Sequence, residues 1–298
     1  MKKDYFLGIT EEGFHRIVYR EWGLSEKNSI PIICVHGLTR NSGDFDKLAA
    51  YLEHQGNHIF CPDIAGRGES NWLKNPLNYT YEQYTSDMTS MIAVTGAHQV
   101  DWIGTSMGGL IGIVLASLPN SPIRRLVLND VGPHISTQAL ARLTNKVGVI
   151  PIFKSFAEAK TFFKTYFDEF GIIDETDWDK FTTDTVYEKS PGQIVFKMDP
   201  AARITPAKSK LAWQVILHPQ KAWEGTLFDV DLWQLWRNVK CPVLVIRGKR
   251  SDILVPSTIE KMREIHPNTD VIEIDNAGHA PALLDVKQHA MIHQWLMG

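Results

Sequence analysis

The stretch that most constrains this chain is Gly104-Thr105-Ser106-Met107-Gly108-Gly109. Before it, Val100-Asp101-Trp102-Ile103 reads as a buried strand. After it, Leu110-Ile111-Gly112-Ile113-Val114-Leu115-Ala116 reads as an apolar helix that stops before Pro119. A strand that turns directly into a helix has no room for bulky neighbours at the turn. The glycines at 104 and 108 supply that room in a Gly-x-Ser-x-Gly spacing. Such an elbow lifts the serine hydroxyl above the end of a sheet. The plainer reading of the same residues is a helix-capping serine in a glycine-rich turn.

That context is an alternation of strands and helices. Strands are expected near Tyr5 to Ile9 and Phe14 to Trp22, joined at Glu11-Glu12-Gly13. The continuous apolar run Ile30-Pro31-Ile32-Ile33-Cys34-Val35 reads as a strand buried on both faces. A helix over 42–55, the strand His58-Ile59-Phe60-Cys61, a helix over 81–95, the elbow strand and Arg125-Leu126-Val127-Leu128-Asn129 follow. The pattern predicts an α/β fold, a mostly parallel sheet with helices on both faces.

From residue 132 to residue 240 the alternation stops, and the pattern is helical and aromatic with no convincing strand. Phe153, Phe156, Phe163, Phe167 and Phe170 recur at near-helical spacing, and Trp178, Trp213, Trp223, Trp233 and Trp236 follow. Strands resume at Pro242-Val243-Leu244-Val245-Ile246 and Asp270-Val271-Ile272-Glu273-Ile274, with helices over 257–265 and 282–296. Residues 1–131 and 241–298 therefore form the expected core, and 132–240 a helical insertion. Most of its aromatics are expected to pack the insertion onto itself and the core, and a few to line an apolar pocket.

Composition narrows the partners. A net charge of −3 gives no electrostatic case for nucleic acid or an anionic membrane. No apolar run approaches the roughly eighteen residues of a membrane helix. Cys34, Cys61 and Cys241 lie in or beside expected strands without a Cys-x-x-Cys, which suits buried thiols in a reducing cytoplasm. No cofactor or metal is expected.

A serine hydroxyl becomes a nucleophile when a base takes its proton and an acid orients that base. Among the 11 histidines, His279 stands in Asn276-Ala277-Gly278-His279-Ala280-Pro281, a loop just after the last strand. Asp252 follows the Val243–Ile246 run through Arg247-Gly248-Lys249-Arg250-Ser251 and is the favoured acid. Its rival is Asp130, directly after Asn129, for which a cap or hinge role at the root of the insertion is preferred. The developing oxyanion needs two donors, expected from the backbone N–H groups of Met107 and Leu38. His36 is read as bracing its loop rather than as a second base, and Arg40 as a solvated loop residue rather than a carboxylate binder.

These pieces resemble the α/β-hydrolase superfamily, in its lidded serine esterase-like branch, along essentially the full length. The resemblance is carried by His36-Gly37-Leu38-Thr39, Asp63-x-x-Gly66-x-Gly68-x-Ser70, the Ser106 elbow, Arg247-Gly248-x-x-Ser251-Asp252 and Gly278-His279. It implies an eight-stranded, mostly parallel sheet with a helical lid inserted after the sixth strand, and a structural role for the Asp63 loop. Ser106 stands where dehalogenases and epoxide hydrolases of this superfamily carry aspartate. The expected activity is cofactor-free cleavage of a small ester, thioester or lactone, with an apolar or amphipathic acyl substrate. Carbon–carbon hydrolysis or perhydrolysis on the same triad remains an alternative, though Leu38-Thr39 replaces the Gly-Pro-Gly common in carbon–carbon hydrolases. A ligand-binding receptor that retains the triad is a third reading, separable by its negligible turnover.

Overall fold

In a computed structural model, which describes residues 1–24, 29–147, 151–203 and 229–298, the chain opens with an antiparallel hairpin, β1 (Lys2–Thr10) and β2 (Gly13–Trp22). Then β3 (Ile32–Val35), α1 (Asp46–His54), β4 (Ile59–Pro62), α2 (Tyr81–Val94), β5 (Val100–Thr105), α3 (Met107–Ser117) and β6 (Ile123–Asn129) alternate. An insertion follows, holding β7 (His134–Ile135), α4 (Thr137–Val147), α5 (Phe156–Tyr166), α6 (Glu175–Thr185), β8 (Val186–Ser190), β9 (Gln193–Phe196), β10 (Val230–Asp231) and α7 (Trp233–Trp236). The chain ends with β11 (Val243–Gly248), α8 (Pro256–Ile265), β12 (Thr269–Ile274) and α9 (Val286–Met297).

Eight of these strands form one sheet in the order β1-β2-β4-β3-β5-β6-β11-β12. From β4 to β12 neighbours are parallel, and only β2 runs against them, antiparallel to both β1 and β4. Period-two side chains explain why both faces are covered. Ile33, Val35, Trp102, Leu126 and Leu128 face α2, α3 and α8. Ile32, Cys34, Ile103, Val127 and Leu244 face α1 and α9. Each such aliphatic side chain contributes about 1.5–3 kcal/mol on burial. The chain steps outward from β3 in both directions, so the strand order reverses between β3 and β5. The carboxyl ends of these two strands open a crevice at that switch point, where ligands of such sheets bind. The loop after β3 and the elbow after β5 border it.

The helical insertion also holds strands. Strands β8 and β9 pair across Pro191-Gly192, with Gly192 at φ 73°, and β7 pairs with β10 to clasp the two ends of the insertion. The Pro-Gly turn between Val186-Tyr187 and Ile194-Val195-Phe196 is a hairpin signal that the surrounding helical pattern obscured. Trp213 and Trp223 lie outside the described residues. The expected helix over 42–55 divides into a 3-10 turn, Ser42–Phe45, and α1; Asn41 caps the turn by accepting from Gly43 N at 3.0 Å. The last helix starts at Val286, not at residue 282. Asp285 caps it, and Ala280 and Leu283 have φ of 60° and 52°, which no helix accommodates.

Candidate active site

The elbow is as tight as its sequence implies. A Cβ on Gly104 would lie 2.4 Å from the Gly108 carbonyl carbon, and one on Gly108 would lie 2.1 Å from Val35 O. Helix α3 therefore sits directly on the ends of β3 and β5. Ser106 takes φ 49° and ψ −111°, a strained conformation for a residue with a side chain. Its N–H donates to Asn129 O at 3.0 Å, and its own carbonyl accepts from Gly109 and Leu110 at the start of α3.

Three segments distant in sequence meet here. His279 Nε2 lies 3.1 Å from Ser106 Oγ, and His279 Nδ1 lies 2.8 Å from Asp130 Oδ2. Asp130 is fully buried and, like Ser106, has a positive φ, 53°. Gly248 N and Ala280 N donate to its carboxyl at 3.0 and 3.3 Å, and Ser251 Oγ donates at 2.5 Å. These donors fix the direction of the carboxyl group.

Asp252, the acid favoured from sequence, is not part of this chain of hydrogen bonds. Its side chain is half exposed and pairs with Arg142 at 2.6 Å. The reason is the path of the loop after β11. Arg247 closes that loop by donating to Leu254 O, while Ile253 N and Leu254 N donate to Ser251 Oγ. The inward position thus belongs to Ser251, whose hydroxyl serves Asp130, and the next residue points out. Asp130, for which a cap or hinge role is expected from sequence, stands instead against the His279 ring. The useful signal was distance from the strand: Asp130 follows the last residue of β6, whereas Asp252 stands four residues beyond β11.

The loop after β3 abuts the elbow, since a Cβ on Gly37 would lie 3.7 Å from Ser106 Cβ. His36 braces it. Ile64 N donates to His36 Nε2 at 2.9 Å, so Nδ1 carries the proton given to Gly37 O at 2.7 Å. Burial lowers its pKa to about 3, which keeps the ring neutral. The Asp63 loop supports the same rim: Asp63 accepts from Ser42 N and Glu69 N at 2.7 and 2.8 Å. Arg67, to which sequence reasoning gave no role, is fully buried and donates to Leu38 O at 3.0 Å, to Tyr84 Oη at 2.7 Å and to Ala202 O at 3.2 Å.

Ser106 and His279 open into a cleft walled by Leu38 on the core side and by Phe167, Phe170 and Phe181 from the insertion. Arg40, expected in solvent, is buried. It holds Asp44, donates to Thr185 Oγ1 at 2.6 Å and lies 3.5 Å above the Phe181 ring. It therefore docks α6 onto the core. Further out, Lys180 and Arg20 each lie 2.6 Å from Asp46, and Lys47 lies 2.5 Å from Asp177. These charges neutralise one another, so the cleft makes no demand for an anionic ligand. The insertion also grips the His279 loop directly: Gly278 N donates to Glu169 O at 2.7 Å and Ala282 N to Phe170 O at 2.9 Å.

Comparison with known proteins accords with this geometry. The sequence pattern of the alpha/beta hydrolase fold matches residues 30–286. A 3-hydroxybutyrate-oligomer hydrolase from Cupriavidus necator is 36% identical over 97% of this chain and 96% of its own length. The crystal structure of a putative hydrolase from Rickettsia typhi superposes with a TM-score of 0.87 at 33% identity, covering 100% of this chain and 99% of that one. An α/β hydrolase from Novosphingobium aromaticivorans gives 0.83 at 29% identity, over 99% and 98% of the two chains. An elbow serine at the switch point of such a sheet, together with hydrolases as full-length relatives, leads to one conclusion: the chain belongs to the α/β-hydrolase fold family and is a serine hydrolase.

Proposed function

We propose that the protein hydrolyses small carboxylic esters through an acyl-enzyme on Ser106, His279 and Asp130. The observation that carries this reading is the run of contacts Ser106 Oγ–His279–Asp130 at 3.1 and 2.8 Å. His279 Nε2 takes the serine proton as Ser106 Oγ attacks the ester carbonyl. Asp130 holds Nδ1–H and stabilises the imidazolium that forms. The backbone N–H groups of Leu38 and Met107 serve the oxyanion; Met107 opens α3, where the helix dipole adds to the effect. His279 then protonates the leaving alcohol, and the same base activates water against the acyl-enzyme.

The described part of the insertion acts as a lid over this site, and Phe167, Phe170 and Phe181 meet the acyl group. The C. necator relative's activity makes short oligoesters of a hydroxy acid the first substrate class to test. The apolar wall beside a neutralised charged rim suits a short chain that alternates methylenes and esters.

The test compares 3-hydroxybutyrate dimer and trimer with p-nitrophenyl esters of graded acyl length. Ser106→Ala should keep the fold, lose nearly all turnover of both series and lose labelling by a fluorophosphonate probe. Labelling that persists in the Ala variant would show that another residue is the nucleophile. Turnover of the p-nitrophenyl esters without the oligomers would move the substrate class and leave the triad in place.

A further inference from the structure

Two parts of the site sit on strained backbone. Ser106 in the elbow and Ala280 and Leu283 in the His279 loop all have positive φ. Each such residue costs on the order of 1–3 kcal/mol and persists only where its surroundings over-determine it. From the insertion side, Glu169 and Phe170 hold the His279 loop through the backbone bonds given above. From the core side, Asp130 accepts from Ala280 N, His289 Nε2 lies 2.6 Å from Leu283 O, and Asn129 donates to Pro281 O; of these three side chains Asn129 also reaches the elbow, through Thr105.

Asn129 ends β6, one residue before Asp130, and is 1% exposed. Its side-chain Nδ2 donates to Thr105 Oγ1 at 3.1 Å and to Pro281 O at 2.8 Å. Both amide hydrogens are thereby used, one on the residue before the nucleophile and one two residues after His279. Its backbone carbonyl accepts from Ser106 N at 3.0 Å. The amide oxygen, by contrast, is buried with no partner among the described residues. An orphaned buried carbonyl costs about 1–3 kcal/mol, and burying an amide for stability alone would satisfy both ends. What the position retains is the pair of donors.

We propose that Asn129 is a positioning residue that ties the Ser106 elbow to the His279 loop and so sets the separation of nucleophile and base. The proposal rests on the assignment of Ser106 and His279 made above. Because Asn129 also borders Asp130, one residue places all three members of the triad, two through its side chain and one through the chain itself.

The experiment measures kcat and KM for a short p-nitrophenyl ester, with labelling of Ser106 by a fluorophosphonate, in three variants. Asn129→Asp keeps the shape but points oxygen at Pro281 O. Thr105→Val removes only the elbow half of the tie, with little change of volume, and serves if Asn129→Asp does not fold. Asn129→Ala removes both halves.

We expect kcat to fall at least tenfold in Asn129→Asp and Asn129→Ala and about threefold in Thr105→Val, with KM within twofold of wild type. Labelling rates should fall in parallel. Adding Thr105→Val to Asn129→Ala should lower kcat no further, because the bond it removes is already gone. Folded variants with wild-type kcat and only lowered thermal stability would overturn the proposal, and so would effects of the two substitutions that multiply. Failure of the wild-type enzyme to label or turn over would instead overturn the assignment of Ser106, a distinct outcome.

Discussion

At the residue scale the two candidate acids differ in what surrounds them, not in chemical type. Asp130 gathers donors from Gly248, Ser251, His279 and Ala280, and Asp252 meets Arg142 in solvent. Asp130→Asn should therefore reduce kcat by about 10⁴, by analogy with the corresponding change in the serine-protease triad, because the imidazole loses the acceptor that selects its tautomer. Asp252→Asn should leave kcat within about twofold, since an exposed ion pair contributes little. Steady-state kinetics of the two variants decide the matter, and the reverse ranking would return the acid to the β11 loop. The sequence offered both carboxylates in suitable chain order. It did not show which loop position faces inward, because that follows from Arg247 and Ser251 closing their own turn.

At the element scale the elbow and the insertion make different demands. Gly108 packs against the carbonyl of Val35, a backbone atom that cannot move aside. Gly108→Ala should cost about 3 kcal/mol or more, whereas Gly56→Ala, with open space around it, should cost about 1 kcal/mol from its positive φ alone. Urea denaturation midpoints measure the contrast, and equal losses would mean that α3 can shift away from β3. In the insertion, Phe170 lines the cleft and packs on Phe167 with ring centroids 4.8 Å apart. Phe170→Leu should keep the triad competent and shift the preferred acyl length, with each methylene worth roughly 1–3 kcal/mol of discrimination. An unchanged preference across the p-nitrophenyl series would take the insertion out of the specificity argument and leave Leu38 and its loop as the source. The near-helical spacing of Phe156 and Phe163 falls within α5. The role of Arg40 was hidden, because an arginine beside a loop is usually solvated and only the packing of α6 buries it.

At the scale of the whole molecule, stability is linked to pH through His36. In the folded chain burial holds its pKa near 3, whereas its ordinary value is 6.5. Above pH 6.5 neither state binds this proton. As pH falls from 6.5 toward 3 the unfolded chain binds it and the folded chain does not, so stability declines. The slope from one such group approaches about 1.4 kcal/mol per pH unit. His289, whose pKa burial also lowers, adds to the decline with the same sign. His36→Gln should flatten the slope by one proton's worth between pH 6 and pH 4, read from urea denaturation at each pH. An identical slope in the variant would show that His36 is protonated, or solvated, in the folded protein. None of the described helices is long and apolar enough to cross a membrane.

What the sequence determined by itself is whatever depends on local chemistry and short-range period. Alternating strands and helices gave the parallel sheet. Gly104, Ser106 and Gly108 gave the elbow, and Gly278-His279 gave the loop that reaches it. Such features follow from steric and hydrophobic rules that act within about ten residues of each position. Tertiary structure alone decided which strand end supplies the carboxylate to His279, that Arg40 lies beneath Phe181, and that Asn129 spans Thr105 and Pro281. Each of these depends on side chains from segments more than 20 residues apart meeting in one place. Their partners are set by how loops close over the sheet, and a linear pattern of residue types does not record the direction in which a loop side chain points.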